Sequence, residues 1–348
     1  MALKNSRDYM TEAQEKCSLI KGFCMFTHRT RVMFIATCCI VLLSACSGKA
    51  YSPISGTTDS TNTPTAKHTA IVSPTPHLTS TVFPSPTPDK APTRYTAHVV
   101  LRGVGRPDDL VFDQQGRVLF SDYYNGTVSR VNANGTVTVL LHGLAGPEGL
   151  VVLSDGTLVI AEQRTNRILA LPPGAFSPNI LRTLPGMPST APCKDGVDGI
   201  ALDPTNNTLI IPDSPTGNVY RMNVDGQSLT LIASGITRPV GAAVDAQGTV
   251  YVADECGGAL WRIAPDGKTT RTGGFGMLDD VVLDTHGNVL VTDLAPSIHA
   301  LLRVNLSTGT RTMLASRGFI EPQGLVIDNH GNIYVSDDYA DVIMEYKP

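Results

Sequence analysis

Residues 241–254 read GAAVDAQGTVYVAD: a small residue, a short apolar run, a polar turn closed by Gly248, a β-rich run and a terminal acid, Asp254. Val, Tyr and Thr suit a pleated, half-buried surface, while Asp and Gly tolerate the backbone conformations of a tight turn, so the stretch reads as two strands joined by a hairpin. The template recurs five more times, as DLVFDQQGRVLFSD from Asp109, GLVVLSDGTLVIAE from Gly149, GIALDPTNNTLIIPD from Gly199, DVVLDTHGNVLVTD from Asp280 and GLVIDNHGNIYVSD from Gly324. Successive copies start 40, 50, 42, 39 and 44 residues apart. Five of them are followed by two further strand-like pieces, such as Thr127 to Asn132 and Thr136 to Leu141 around Ala133-Asn134-Gly135. Four strands in roughly 42 residues is the size of a propeller blade.

The sixth copy has room for only one more strand, Val342 to Tyr346, before Pro348. An isolated β segment, Thr96 to Leu101, precedes the first copy and can supply the missing strand. Closing the ring in this way removes the exposed edges that an open array would present. The expected fold is therefore all-β, a six-bladed β-propeller over residues 95–348. A β-sandwich would explain neither the near-equal periods nor the segment at the front.

The flanking chain has other chemistry. Residues 32–45 are an uninterrupted apolar run behind His28, Arg29 and Arg31, the layout of a secretory signal, and they end at Leu43-Ser44-Ala45-Cys46. That ending resembles the bacterial lipobox, which implies lipidation of Cys46. The expectation is a signal peptide over 1–45, then the lipidated cysteine and a disordered Ser/Thr/Pro-rich linker over 46–94, too poor in large apolar side chains to order itself. If extended, such a tether reaches on the order of 150 Å. The propeller would then be exported and lipid-anchored on the outer face of the bacterial cytoplasmic membrane or another envelope membrane, most simply as a monomer. The net charge of −4, with no long Lys/Arg block, excludes nucleic acid as a partner. The propeller stretch keeps two of seven cysteines, Cys193 and Cys256. Outside the cytoplasm they are candidates for a disulfide, and their loops fall on neighbouring parts of one face, where the bond would pin the insertion Leu184–Lys194 as a lid.

With the phrases Gly146-Pro147-Glu148-Gly149-Leu150, Asp198-Gly199-Ile200 and Val250-Tyr251-Val252-Ala253-Asp254, residues 95–348 resemble the six-bladed propellers of the NHL-repeat and gluconolactonase/senescence-marker superfamily. In such a blade the start of the first strand and the end of the second meet at one opening. Two rings follow. The strand-start ring is Asp108, Glu148, Asp198, Val240, Asp279 and Gln323; the strand-end ring is Asp122, Glu162, Asp213, Asp254, Asp293 and Asp337. An acid repeated in every blade reads as architecture that caps the following loop. The unequal first ring reads as a site, because several carboxylates facing one pore repel one another unless protonated or neutralised by a cation. The expected metal ligands are Glu148, Asp198, Asp279 and Asp108, and the expected occupant is Ca²⁺ or another hard divalent cation.

The resemblance implies a metal-dependent lactone or ester hydrolase, with Asp198, Asp279 and His142 as candidate catalytic groups. Tyr123, Tyr124, Tyr339 and Gln323 are candidate ligand contacts at the channel mouth. The pattern departs from the resembled enzymes at Val240 and Gln323, where Asn and Asp ligands are implied, which removes one ligand and makes another neutral. The alternative is a non-catalytic binding platform for an envelope protein or glycan. A virginiamycin-lyase-like elimination ranks third, for want of paired His and Glu in the channel loops. His286 and His330 read as turn residues at the opposite face. No G-x-S-x-G elbow or zinc spacing is present.

Overall fold

The computed structural model describes residues 95–103 and 105–348 together with a three-residue strand, Thr79–Thr81. The expected signal peptide, Cys46 and most of the expected linker lie outside the described residues.

Six four-stranded antiparallel blades succeed one another along the chain, and the first five read from an inner to an outer strand in sequence order. Blade one comprises Leu110–Phe112, Val118–Asp122, Thr127–Val131 and Val137–Leu141. Blade two runs from Pro147–Val152 to Asn179–Thr183, blade three from Ala201–Asp203 to Leu229–Ala233, and blade four from Pro239–Val244 to Thr269–Gly273. Blade five runs from Leu278–Leu283 to Arg311–Ala315. Blade six holds Pro322–Ile327, Ile333–Asp337 and Val342–Lys347, and its fourth strand is Thr96–Arg102, antiparallel to Val342–Lys347 from Thr96 opposite Lys347 to Arg102 opposite Val342. The strand Thr79–Thr81 lies parallel to Thr269–Gly273 and gives that sheet a fifth member, inside the stretch expected to be a linker. The described residues contain one 3₁₀ turn, Gln163–Thr165, and no helix long and apolar enough to cross a membrane.

Burial explains the repeat. The second strands, such as VLFSD, LVIAE and VYVAD, are buried along their whole length because blades pack on both of their faces. Six apolar clusters fill the six spaces between neighbours. One joins blades two and three through Val159, Ile168, Leu209 and Ile211, and another joins blades six and one through Ile343, Leu110 and Phe120. At that last junction Phe112 meets Tyr334 edge to face, with centroids 5.3 Å apart. The hairpin turns repeat a second device: Asp113, Asp245, Asp284 and Asp328 each accept backbone N–H groups two and four residues ahead at 2.8–3.0 Å. His286 and His330 supply backbone donors to these turns, and their exposed side chains reach only turn neighbours, Thr285 at 3.5 Å and Asp328 at 3.8 Å.

Candidate functional site

The inner strands of blades two, four, five and six share an irregularity. Pairing with the second strand slips between Pro147 and Leu150, Pro239 and Ala242, Leu278 and Val281, and Pro322 and Leu325. A slip of this kind re-aims side chains that strict alternation would send to opposite faces. Thus two successive residues, Asp279 and Asp280, line the axial channel, as do Asp108 and Asp109 just before the paired part of blade one.

The channel narrows where blades converge. A Cβ on Gly149 would stand 2.7 Å from the Asp198 carbonyl oxygen, and one on Gly324 would stand 2.5 Å from that of Asp108, so only glycine allows this approach. Gly199 and Gly241 are equally crowded, and the two remaining waist positions are Asp109 and Asp280. Asp109 accepts the Leu110 and Leu150 N–H groups at 2.7 Å each, and Asp280 accepts those of Val281 at 2.7 Å and Leu325 at 2.8 Å, so each carboxylate ties its blade to the next. Burial pushes Asp109 up to about 7, and Asp280 is raised well above its ordinary range for the same reason. Between waist and mouth lies a cavity with room for little more than a water molecule, lined by Asp108, Asp109, Asp198, Asp279 and Asp280.

Four members of the strand-start ring meet here. Asp108, Glu148 and Asp279 are buried (9%, 6% and 8% exposed), and Asp198 is nearly so. Burial first, and then mutual repulsion, raises Asp108, Glu148 and Asp279 well above the usual carboxylate range. Asp108 and Glu148 stand close enough to perturb each other's proton affinity. Asp279 accepts no hydrogen bond from any described residue. Asp198 is also raised by burial, but Arg238 opposes the shift: its Nη2 lies 3.0 Å from the carboxylate, and Gln163 donates to the same oxygen at 3.2 Å. The other two ring positions differ from expectation. Val240 is fully buried in the apolar cluster between blades four and five, so it closes that side of the ring with hydrocarbon. Gln323 turns aside to donate to Asp338 at 3.3 Å.

The strand-end ring is spent on the backbone. Asp254 accepts Arg238 N, Gly257 N and Trp261 Nε1 at 3.0 Å each, and Asp337 accepts Ile320 N at 2.7 Å, Glu321 N at 3.0 Å and Ala340 N at 2.7 Å. Each such acid joins the loop entering its blade to the turn that follows it.

His142 is exposed beyond the outer strand of blade one and hydrogen-bonds to no ring member. Tyr123, Tyr124 and Tyr339 gather at the mouth around Arg106, whose Cζ lies 3.6 Å from the Tyr124 ring centre and 4.5 Å from that of Tyr339. Cys193 and Cys256 are joined by a disulfide, with Cα atoms 6.1 Å apart. Beside that bond, Asp195 and Glu255 both ion-pair with Arg238.

Sequence reading passed over Arg238, Arg106, Gln163, Glu255 and Asp338. A repeat alignment extended by a few residues contains them: Arg106-Pro107 and Arg238-Pro239 stand at equivalent places two residues ahead of the ring, while Gln163, Glu255 and Asp338 each directly follow a strand-end acid.

No three of the described His, Cys, Asp and Glu side chains are already drawn to metal-ligating distances of one point. The donor set nevertheless suits a hard cation: buried carboxylate oxygens, those of Asp279 met by no hydrogen-bond donor among the described residues.

Residues 193–276, which include blades three and four, match the family described as SMP-30/Gluconolactonase/LRE-like region. None of the curated proteins compared matches the chain. Among solved structures, a gluconolactonase of Xanthomonas campestris is 17% identical, with 73% of this chain and 89% of that chain covered at a TM-score of 0.60. Virginiamycin B lyase from Staphylococcus aureus is 16% identical over 69% and 79% of the two chains, with a TM-score of 0.55. The PQQ-bound aldose sugar dehydrogenase of Streptomyces coelicolor is 16% identical over 74% and 99%, with a TM-score of 0.57. Three chemistries on one architecture make this a likeness of fold, so function has to be argued from the channel itself.

Proposed function

We propose that the channel mouth holds a divalent cation, calcium before magnesium, between Asp108, Glu148 and Asp279, and that a small ligand binds above it. The observation that carries this reading is the gathering of Asp108, Glu148 and Asp279 at one opening, three buried carboxylates whose proton affinities burial and neighbouring charge raise. Asp198 belongs to the same ring, but Arg238 already balances its charge, so its part is to face the ligand as an anion. The match at residues 193–276 favours a ligand of the lactone or ester class and its hydrolysis.

In that reaction water adds to the carbonyl carbon, the ring or ester C–O bond breaks, and the leaving oxygen takes up a proton. A bound cation would supply polarisation of the carbonyl. The chain's own part is to exclude bulk water beneath the lid that Cys193 anchors, and to accept the water's proton at Asp198, the ring carboxylate not committed to the cation. His142 has no role in this scheme.

A second reading, a non-catalytic platform for a protein or glycan, is favoured by Arg238, which occupies one side of the mouth and leaves Asp198 without free charge.

Calcium titration of the melting temperature tests the site. At a hundredfold excess over Kd the gain is about 2.7 kcal/mol, roughly 5–10 °C for a domain of this size. Glu148→Gln and Asp279→Asn are each expected to abolish the rise while the metal-free fold persists. A melt indifferent to calcium would refute the site. Lactone opening that survives chelation would refute the hydrolase reading alone.

A further inference from the structure

Across blades six, one and two the mouth carries a continuous row of stacked side chains that the cation site does not use. Arg106 stands between Tyr124 and Tyr339, and its edge is fixed by Asp338 through Nη2 to Oδ2 at 3.0 Å and Nε to the backbone oxygen at 3.3 Å. Tyr124 meets Tyr123 edge to face at 5.2 Å, with planes 83° apart. Arg164 then lies 4.3 Å over the Tyr123 ring and donates to the Tyr123 carbonyl at 3.4 Å. The row is open to solvent: Tyr124 and Tyr339 are each 40% exposed, the Arg106 side chain is 32% exposed, and Arg164 is exposed. It also borders the ring. Tyr123 feels the charge of Glu148, and Asp338 feels that of Asp108.

Stacking on an aromatic face holds a guanidinium in one plane while leaving N–H groups free along its edge, and such an edge matches the two oxygens of a carboxylate. The rest of this mouth is acidic apart from Arg238, whose charge is met by Asp195, Asp198 and Glu255, so the two propped arginines create a neighbourhood where an anionic group is attracted. A neutral ligand gives them nothing to bind. The phenol groups of the three tyrosines and the side chains of Glu321 and Gln323, which stand at the same rim, offer donors and acceptors to hydroxyl groups.

We propose that the row from Arg106 to Arg164 recognises a free carboxylate that the ligand carries apart from any lactone or ester carbonyl, so that the channel takes small hydroxylated acids, and lactones or esters that keep such a carboxylate, in preference to neutral sugars. This deepens the proposed function and rests on it only for the direction from which the ligand approaches.

The test titrates the full chain with D-glucuronate and, separately, D-glucose, by ligand-observed NMR in saturating calcium. Neither probe can be hydrolysed. Glucuronate is expected to bind at least ~10-fold more tightly than glucose, as one charge-assisted bidentate pair implies. Arg164→Gln, at an exposed position where folding is not at stake, is expected to remove most of that preference, and Arg106→Lys to weaken it. Equal affinity for the two sugars, binding of neither, or an unchanged preference in Arg164→Gln would each overturn the inference. Calcium-dependent melting of the same samples reads the cation site separately: if the melt still rises with calcium while selectivity is absent, only this inference fails.

Discussion

Aspartate meets three fates in this protein, and they separate structure from candidate chemistry. Asp254 and its equivalents are saturated by backbone donors; Asp109 and Asp280 tie adjacent blades; Asp279 is buried with no donor at all. The last two groups set the expected pH response. An acid whose folded pKa lies above its unfolded value stabilises the fold fully below the ordinary carboxylate range, and that stability is lost as pH rises through the folded value. Burial places Asp109 and Glu321 at about 7, and raises Asp108, Glu148 and Asp279 as well. Cation-free protein is therefore expected to melt higher at pH 5 than at pH 8, and calcium to help more at pH 8. Melting temperatures that climb between those pH values without metal would contradict the assignment. Asp203 has the opposite sign: burial pushes it up, but hydrogen bonds from Arg221 and Thr205 bring it down to about 2, so its contribution is lost only in strong acid.

At the scale of strands and loops, the hairpin template was legible because strand and turn chemistry are local. Val250–Asp254 and its counterparts carry their own β preference, and Gly248 carries its own turn. The slip at Pro239–Ala242 was not legible, because it arises where a blade meets its neighbours at the axis. Without the equivalent slip at Leu278–Val281, alternation sends Asp279 and Asp280 to opposite faces; with it, both look into the channel. For the same reason Val240 read as a ring member and is core. Arg238 was missed because its importance lies in three acids, Asp195, Asp198 and Glu255, brought to it from two other segments. The disulfide links those segments: Cys193 is two residues from Asp195, and Cys256 adjoins Glu255. The bond spans 63 residues, and loop entropy gives it about 4 kcal/mol. Reduction, or Cys256→Ser, is expected to lower the melting temperature by roughly 8–15 °C. An unchanged melt would show that the two loops are held by Arg238 alone.

For the whole molecule, six similar sheets around one axis gather residues as distant in sequence as Asp108 and Asp279 into a single pore. The closing contact is Thr96–Arg102 against Val342–Lys347, which joins the first described strand of the propeller to the last and holds blade one against blade six. That count and that closure follow from periodicity, so the fold was readable from sequence. The occupant of the pore was not, because charge at the axis depends on which carboxylates end up unpartnered. Anomalous diffraction from crystals of residues 95–348 grown with calcium addresses this directly. The expected result is a peak at the channel mouth, about 2.3–2.6 Å from carboxylate oxygens of Asp108, Glu148 and Asp279. A channel without a peak beside Asp108, Glu148 and Asp279 would contradict the cation site.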